Sequence, residues 1–286
     1  MGSEEVARGR KRDIVEYYEK SRWGYRLFWF HNDDLAMHYG FWDQKTNNLH
    51  EALLNENRFL ADKAHIAEGE YVLDAGCGVG GSAIWLARNR GANVLGISIT
   101  PGDIAESRKN AERCGVSKKA SFEFRDYMDT GFPDETFDVV WAIESFCYAS
   151  DRKHFLAEAY RILKRGGRIV IADGFDTRIT PNIESRLMKR FLDGFALQSL
   201  ASWEGFGKLF QGAGFRDPER IDMTEEAKKS SRTMWRRALL FTLILPFFYL
   251  FGNRKIVLGW HTGIAQWKAL KKGLWRYGVF YAEKRP

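Results

Sequence analysis

The sequence predicts an α/β fold, with a Rossmann-like, seven-stranded and mostly parallel sheet that carries helices on both faces. Two patterns predict it. Between residues 69 and 176, short apolar segments alternate with amphipathic segments of helical length. The first apolar segment, residues 71–76, runs into a glycine-rich turn, and a helical pattern follows that turn at once. Strands that alternate with helices in this way run parallel in one sheet.

The predicted elements follow in chain order. The strands are residues 71–76, 92–98, 120–126, 137–144, 166–175, 215–223 and 277–284. The helices between them are residues 81–90, 101–115, 151–164 and two within 183–213. Pro101 at the start of the second of these helices and Gly115 at its end favour a helix with those bounds.

Two segments flank this core. Residues 1–65 (the cap) are predicted to be helical near 4–22 and 48–65, with ten aromatic residues between Tyr17 and Trp42. Residues 66–223 and 276–286 form the predicted core. Residues 224–275 (the insertion) are predicted to form a basic, apolar helical lid before the last strand, where only a short connection is needed.

Composition argues against several kinds of site. Cys77, Cys114 and Cys147 are few, odd in number and far apart, which disfavours a disulfide framework and a zinc site. The six histidines are scattered as well, so no metal is expected. The first twenty residues lack the apolar segment of a secretory signal, and we therefore expect a cytoplasmic protein.

The glycine-rich turn carries a family resemblance. Residues 72–81, VLDAGCGVGG, resemble motif I of class I S-adenosylmethionine-dependent methyltransferases. Three further segments match that family in order and spacing: GISITPGDIAESRKNA, FEFRDYMDTGFPDETFDVVWAIESFCYASD and AYRILKRGGRIVIAD. Together the four segments cover residues 69–175. The resemblance implies a methyltransferase sheet and S-adenosylmethionine as cofactor.

The resemblance also implies which residues bind that cofactor, at the carboxyl ends of the strands. Asp74 would reach the amino end and the sulfonium, Asp126 the adenine amino group, and Tyr127 the adenine ring. The full expected set is Asp74, Gly76, Gly78, Gly80, Ser98, Thr100, Asp103, Asp126, Tyr127 and Ile143. The alternatives are structural: Asp74 caps a helix, Asp126 is a turn residue, and Asp103 is a helix-start acid favoured by the dipole.

The second strand departs from the commonest pattern of the family. Many class I enzymes have an acid at its end that binds the ribose, whereas residues 96–100 read GISIT, without a carboxylate. A similar run occurs in the sterol, tocopherol and cyclopropane-fatty-acid branch. In that branch a polar residue at the place of Asp103 helps to hold the ribose.

Two segments indicate the methyl acceptor. Residues 141–151, WAIESFCYASD, resemble the fourth-strand motif of sterol C-methyltransferases. There the Glu144 carboxylate would accept a proton or stabilise a carbocation, unless it only orients a loop. Residues 38–43, HYGFWD, together with the preceding run YYEKSRWGYRLFW at residues 17–29, resemble the segment that covers the cofactor in tocopherol, sterol and phosphobase methyltransferases.

These segments supply the expected catalytic and substrate residues. Glu144, His38 and Tyr18 are the expected catalytic residues, and the expected acceptor contacts are Tyr39, Trp42 and Tyr148. An aromatic face attracts a sulfonium or a developing cation by about 1–2 kcal/mol when desolvated. The alternative is that most of these rings only pack the cap onto the sheet.

The predicted activity is methyl transfer from S-adenosylmethionine to a hydrophobic small molecule, by C-methylation of an isoprenoid, sterol or prenylated-ring lipid. N-methylation of a small amine or phosphobase is the alternative. An RNA methyltransferase and a non-catalytic cofactor-binding protein are further alternatives. No nucleic acid is expected, because the fourth strand lacks the N/D-P-P-Y/F run of enzymes that methylate base nitrogens.

The insertion contains residues 238–251, ALLFTLILPFFYLF, inside a window from Lys228 to Arg276 with eleven Lys and Arg and no acid. As a helix, this stretch would extend ~21 Å, whereas a hydrocarbon core requires about 30 Å. Pro246 is also expected to kink it. The remaining interpretations are a buried helix of a substrate lid, contact with an anionic membrane surface, and pairing with a second subunit. We expect the first two together.

Overall fold

The computed structural model describes residues 9, 11–19, 35–36, 38–178, 184–250 and 254–286. The side chains of residues 241, 243–250 and 254–260 are outside the described part. The predicted aromatic residues at positions 23–30 and most side chains of the stretch 238–251 therefore lie outside the described residues.

One mixed sheet organises the chain. In chain order its strands are β1 (Tyr71–Ala75), β2 (Asn93–Ser98), β3 (Ala120–Phe124), β4 (Phe137–Ile143), β5 (Leu163–Asp176), β6 (Ala201–Ser202), β7 (Arg216–Asp222) and β8 (Trp275–Glu283). Across the sheet the order is β3-β2-β1-β4-β5-β8-β7, and β6 pairs with β5 off this path. The last strand, β8, runs antiparallel to both of its neighbours, β5 and β7. The sheet is therefore mostly parallel, as predicted.

The number of strands corrects the prediction of seven, because the described residues contain eight. The additional strand, β6, is two residues long and pairs with Phe175 and Asp176 at the end of β5. Two residues are too few to show the alternation of apolar and polar side chains by which a strand is recognised in a sequence.

Helices precede the strands and separate most of them. Residues 11–19 are helical (α1). The others are α2 (Leu49–Lys63), α3 (Gly81–Asn89), α4 (Pro101–Arg113), α5 (Arg152–Ile162), α6 (Ser185–Gly194), α7 (Phe206–Gly212), α8 (Thr224–Leu250) and α9 (Arg254–Lys271).

Both faces of the sheet are covered, because side chains alternate along each strand. Val72 of β1 and Val94 of β2 pack into one apolar cluster, which includes residues of α2, α3 and α4. Leu73 and Leu95, one position further along, pack into a second cluster with residues of α5 and α7. A strand buried on both faces is apolar throughout, which explains the short apolar segments of the sequence.

The insertion consists of α8 and α9, which pack against each other, and α9 also packs against α6. The stretch 238–250 forms the C-terminal half of α8, and the helix continues past Pro246 to Leu250. Within the part of the chain that the structure describes, no helix is both long enough and apolar enough to cross a bilayer.

Candidate active site

A cleft of about 1060 Å³, part of it open to solvent, lies at the carboxyl ends of β1, β2 and β4, beneath α1 and the following part of the cap. Such an edge is where open α/β sheets hold their ligands. The predicted site residues that line it are Tyr18, His38, Asp74, Gly76, Gly78, Ser98, Thr100, Asp103, Asp126, Tyr127, Ile143, Glu144 and Tyr148. The individual roles of these residues stay predictions.

The glycine-rich turn joins β1 to α3 and forms one wall of the cleft. Gly76 has a φ of 93°, and a Cβ there would lie 2.4 Å from the Cβ of Ser145, which follows β4. Only glycine permits both this backbone conformation and this close approach. Gly80 does not line the cleft. A Cβ at Gly80 would meet the ring of Phe122 at 2.8 Å, so this glycine lets α3 pack closely on the sheet.

Asp74, at the end of β1, is 3% exposed and faces the cleft. Its Oδ2 has no hydrogen-bond partner among the described residues. Burial raises the pKa of Asp74 to about 7, although nearby His38 and the backbone N–H of Ala83 lower it. A buried carboxyl oxygen of this kind suits a positively charged ligand group, such as the ammonium of S-adenosylmethionine.

The wall formed by β2 and α4 carries the three polar residues expected at the ribose. Ser98 Oγ accepts a hydrogen bond from the backbone N–H of Thr100 at 3.1 Å. Asp103 is in the first turn of α4 and 4% exposed. These hydroxyls and this carboxyl line the cleft, so they fit a ligand with vicinal hydroxyl groups.

The loop after β3 forms the end of the cleft at which adenine is expected. Asp126 accepts a hydrogen bond from the backbone N–H of Met128 and forms an ion pair with Lys11 of α1 at 2.5 Å. The hydroxyl of Tyr127 donates to the backbone oxygen of Ser145 at 2.9 Å. Lys11 was not predicted as a site residue, because it looks like any charge on a mixed-charge helix.

Glu144 follows β4 and has a φ of 47°, a left-handed conformation that is strained for a residue with a side chain. Its Oε1 accepts hydrogen bonds from the backbone N–H of Tyr39 and, at 2.9 Å, from the hydroxyl of Tyr277. Burial, and then the neighbouring Glu56 carboxyl, raise the pKa of Glu144 to about 8, although His38 and the Tyr39 N–H lower it. Glu144 can therefore change protonation state near neutral pH.

His38 is buried beside Glu144, and its Nδ1 lies 2.8 Å from Oε2 of Glu56 and 2.8 Å from the backbone oxygen of Tyr39. Because a carbonyl oxygen only accepts, Nδ1 carries a hydrogen. Burial alone would lower the pKa of His38, but the Glu56 carboxylate raises it to about 9. The Tyr277 hydroxyl lies 2.8 Å from the other oxygen of Glu56.

Glu56 and Tyr277 were missed in the sequence. Glu56 is one of several polar residues of α2, and Tyr277 belongs to an apolar strand. Their positions 221 residues apart gave no signal that their side chains meet. Neither residue lines the cleft. Their hydrogen bonds to Glu144 and His38, which do line it, connect them to the site.

Of the aromatic residues, the structure brings Tyr18 and Tyr148 to the cleft, where their ring centroids are 5.6 Å apart. It does not bring Tyr39 and Trp42 there. The Tyr39 ring packs 5.4 Å from Tyr277, and its hydroxyl donates to Gln266 of α9 at 3.2 Å.

Trp42 likewise contacts the insertion. Its Nε1 donates to Ser230 Oγ of α8 at 2.8 Å, and Lys229 Nζ lies 3.9 Å from its ring centroid. In the structure these two aromatic residues attach the cap to the insertion, and their expected contact with the acceptor stays a prediction. The described side chains of the insertion do not line the cleft either, so their link to the site runs through the cap.

No group of three His, Cys, Asp or Glu side chains that could hold a metal ion occurs among the described residues.

Comparison with known proteins identifies relatives. A model of the family described as "Methyltransferase domain" matches residues 73–171. The chain is 30% identical to methyltransferase GfsG of Streptomyces halstedii, over 76% of this chain and 77% of that protein. It is also 30% identical to 2-methyl-6-phytyl-1,4-hydroquinone methyltransferase of Synechocystis sp., over 95% of this chain and 84% of that protein. Its identity to the chloroplastic tocopherol O-methyltransferase of Arabidopsis thaliana is 26%, over 96% of this chain and 82% of that protein.

Solved structures share the fold. The cyclopropane synthase MmaA2 of Mycobacterium tuberculosis superposes with a TM-score of 0.81 at 17% identity, covering 96% of this chain and 98% of that one. Geranyl diphosphate C-methyltransferase of Streptomyces coelicolor A3(2) superposes with a TM-score of 0.74 at 19% identity, covering 96% of this chain and 98% of that one.

Proposed function

Because the chain belongs to the class I S-adenosylmethionine-dependent methyltransferases, and resembles their tocopherol branch, we propose that it methylates a ring carbon of an acceptor with an isoprenoid chain. S-adenosylmethionine is its cofactor and supplies an electrophilic methyl group. Asp74, Asp103 and Asp126 would hold the amino, ribose and adenine groups of that cofactor.

The observation that carries this proposal is the setting of Glu144, an ionisable carboxyl at the base of a cleft with many apolar side chains. The cap contributes Ile14, Leu35 and Tyr18 to the lining, and the core contributes Ile143 and Met128. An apolar lining suits a lipid-like acceptor. A ring carbon that gains a methyl group loses a proton, and the ionised form of a carboxyl whose pKa is about 8 is basic enough to take that proton and hold it.

The relatives support this acceptor class. The name of the Synechocystis relative combines a hydroquinone ring with a phytyl chain, and its similarity spans 95% of this chain. A phosphobase is less suited to the cleft, because a phosphate calls for cationic side chains. Lys11 is the single lysine or arginine among the described lining residues, and it is paired with Asp126.

O-methylation of a hydroxylated acceptor is the second candidate. Relatives that carry it in their names include tocopherol O-methyltransferase of Arabidopsis thaliana and 27-O-demethylrifamycin SV methyltransferase of Amycolatopsis mediterranei. A base at Glu144 would remove a hydroxyl proton as readily as a ring proton, so the cleft chemistry suits both.

The test is incubation of the purified protein with S-adenosylmethionine labelled with ¹³C in its methyl group. The acceptors are 2-methyl-6-phytyl-1,4-hydroquinone, γ-tocopherol and phosphoethanolamine. We expect a hydroquinone or tocopherol product whose labelled methyl has the NMR shift of a carbon-bound group. An oxygen-bound methyl would replace the proposal by the second candidate, and labelling of phosphoethanolamine alone would overturn both.

Two variants accompany that assay. Glu144→Gln keeps the shape of the side chain and removes the base, and we expect a loss of turnover of about 10²-fold or more. Glu68→Gln changes an exposed glutamate remote from the cleft and should retain wild-type turnover. Equal rates for the two variants would exclude Glu144 as the base.

We also propose that the insertion contacts an anionic membrane surface, from which a lipid-like acceptor is taken. Arg232 lies four residues before Arg236 in α8, and Leu239 and Leu240 lie three and four residues after it, so the four share one face of the helix. All four are exposed, Leu240 by 67% and Leu239 by 38%. Exposed leucines beside arginines suit an interface of acyl chains and anionic head groups.

Co-sedimentation with vesicles tests this contact. Vesicles containing phosphatidylglycerol should retain the protein at low salt and release it as salt rises, whereas phosphatidylcholine vesicles should not retain it. Arg232→Gln/Arg236→Gln and Leu239→Gln/Leu240→Gln should each weaken retention. Lys118→Gln/Lys153→Gln removes the same charge from exposed positions outside the insertion and should not. Retention that is equal for all three double variants would refute the proposal.

A further inference from the structure

Three buried side chains and the half-buried Glu144 form a continuous chain of hydrogen bonds at the cleft. His38 contacts Glu56 at 2.8 Å, Glu56 contacts the Tyr277 hydroxyl at 2.8 Å, and that hydroxyl contacts Glu144 at 2.9 Å. His38 and Glu144, at the two ends, line the cleft, whereas Glu56 and Tyr277 do not. Glu56 is 0% and Tyr277 1% exposed, so no solvent contact competes for their protons.

The number of hydrogens in this chain is constrained by Tyr277. A tyrosine hydroxyl has one hydrogen and donates one hydrogen bond, yet this hydroxyl lies within hydrogen-bond distance of two carboxyl oxygens. Two ionised carboxylates cannot both be satisfied by one hydrogen. One contact therefore requires a proton on the carboxyl, which then donates to the tyrosine oxygen.

We propose that Tyr277 is a positioning residue that joins Glu144 and Glu56 into one proton-holding pair, which receives the proton released by the methyl acceptor. In the form that reacts, the pair has lost its proton and both carboxyls are ionised, so one of the two contacts of Tyr277 lacks a hydrogen. The acceptor's C–H or O–H bond breaks as an O–H bond forms on Glu144, and the pair again holds the one proton that its geometry requires. The new carboxyl hydrogen is donated to the Tyr277 oxygen, and the Tyr277 hydrogen is donated to Glu56. This inference rests on the proposed function to the extent that the acceptor must lose a proton.

His38 completes the arrangement. Its Nδ1–H donates to the Glu56 oxygen that Tyr277 does not contact, so Glu56 keeps a donor on each oxygen when it is ionised. The neighbouring charges all come from elements packed around these groups. Glu144 faces Glu56 of α2, His38 of the cap, Asp173 of β5 and Cys147 after β4, and His38 also faces Asp74 of β1.

The packing around Tyr277 allows its hydroxyl to be removed alone. The ring lies 5.4 Å from the Tyr39 ring and 5.9 Å from the Phe41 ring, and both contacts would be kept by phenylalanine. Tyr281 of the same strand offers a matched control. Its hydroxyl donates to Glu283 at 2.6 Å, outside the cleft, so Tyr281→Phe also removes one tyrosine–glutamate hydrogen bond from β8.

The kinetic test compares kcat against pH for wild type, Tyr277→Phe, Glu56→Gln and Tyr281→Phe. Tyr277→Phe should lower kcat about tenfold or more with little change in the KM for the cofactor. Glu56→Gln removes the negative charge that raises the pKa of Glu144, so the acidic limb of its profile should move to lower pH. Tyr281→Phe should match wild type. Profiles of Tyr277→Phe and Glu56→Gln that coincide with that of Tyr281→Phe would overturn the proposal.

A second measurement needs no turnover. Infrared spectra of the cofactor-free protein near pH 7 should contain the band of a protonated carboxyl, which Glu144→Gln or Glu56→Gln should remove and Tyr277→Phe should shift. A band that is unchanged in all three variants would refute the shared proton. If the wild type methylates no proton-losing acceptor, the proposed function fails, while the infrared result still decides whether the pair exists. Thermal unfolding establishes that each variant is folded.

Discussion

The hydroxyl of Ser230, in α8, lies 3.0 Å from both the backbone nitrogen and the backbone oxygen of Gly40 in the cap. Ser230 is fully buried, and it also accepts the Nε1–H of Trp42 at 2.8 Å. One serine thus satisfies three polar groups of the segment that precedes α2. Residue 39, next to Gly40, donates its backbone N–H to Glu144. The insertion is therefore joined to the proposed catalytic carboxyl by one residue of main chain.

Ser230→Ala should loosen this attachment. It leaves the polar atoms of Gly40 and the Nε1–H of Trp42 unpaired, and we expect a loss of about 2 kcal/mol in the free energy of unfolding. Exchange of the Tyr39 amide hydrogen should accelerate as well. Thr233→Ala is the control, since the Thr233 hydroxyl donates to the backbone oxygen of Lys229 in its own helix and this hydrogen bond is exposed to solvent. Equal losses in denaturant titrations of the two variants would contradict the role of Ser230.

Asp74→Asn should weaken binding of S-adenosylhomocysteine about tenfold or more, since a hydrogen bond to a charged group contributes about 1.5–3 kcal/mol. Isothermal titration calorimetry measures the affinity. Asp129→Asn changes a nearby acid that is not part of the cleft lining and should bind normally. If both variants bind as tightly as wild type, Asp74 does not hold the amino end of the cofactor.

The same substitution should stabilise the cofactor-free protein above neutral pH. The pKa of Asp74 is raised to about 7 in the folded state from an ordinary value of 3.8. The folded protein therefore binds the proton more tightly than the unfolded chain does, and wild-type stability falls as pH rises from about 4 to about 7. Asp74→Asn removes this dependence and should be about 1–4 kcal/mol more stable at pH 8.

Well below pH 4, where Asp74 is protonated in both states, wild type and Asp74→Asn should unfold alike. Denaturant titrations between pH 4 and pH 8 measure this difference. A constant difference over that range would show that Asp74 does not titrate across it.

Gly76→Ala should be far more disruptive than Gly166→Ala. Both glycines have a positive φ, 93° and 70°, so both substitutions strain the backbone, at a cost of about 1–2 kcal/mol. A Cβ at position 166 meets nothing within 4 Å, whereas one at position 76 meets Ser145 at 2.4 Å. The excess loss of thermal stability in Gly76→Ala therefore measures the steric contact between the β1 turn and the residues after β4. Equal losses would mean that the turn can move away from Ser145.

Local patterns were sufficient for most of the fold. The bounds of β1 to β4 agree with the predicted strands to within two residues, because apolar strands and flanking turns are properties of adjacent residues. Local pattern was also sufficient to place Asp74 at the cleft, because it lies at the end of a strand and directly before the glycine-rich turn. The short strand β6 could not be found in this way.

Contacts between distant segments account for the rest. Glu56 meets Tyr277 across 221 residues, and Gly40 meets Ser230 across 190. Side chains so far apart carry no mutual pattern in a single sequence. The contacts of Tyr39 and Trp42 with the insertion were missed for the same reason, since their aromatic character is visible in the sequence but their partners in the insertion are not.

The position of β8 in the sheet has a consequence for the order in which the protein matures on the ribosome. β8 is synthesised after the other seven described strands of this sheet, yet it pairs with both β5 and β7 and contributes Tyr277 behind the cleft. A nascent chain that has completed β1 to β5 already possesses the walls expected to bind the cofactor. It gains the partner of Glu56 and Glu144 only after the insertion has been translated. Cofactor binding should therefore become available during synthesis before efficient turnover does.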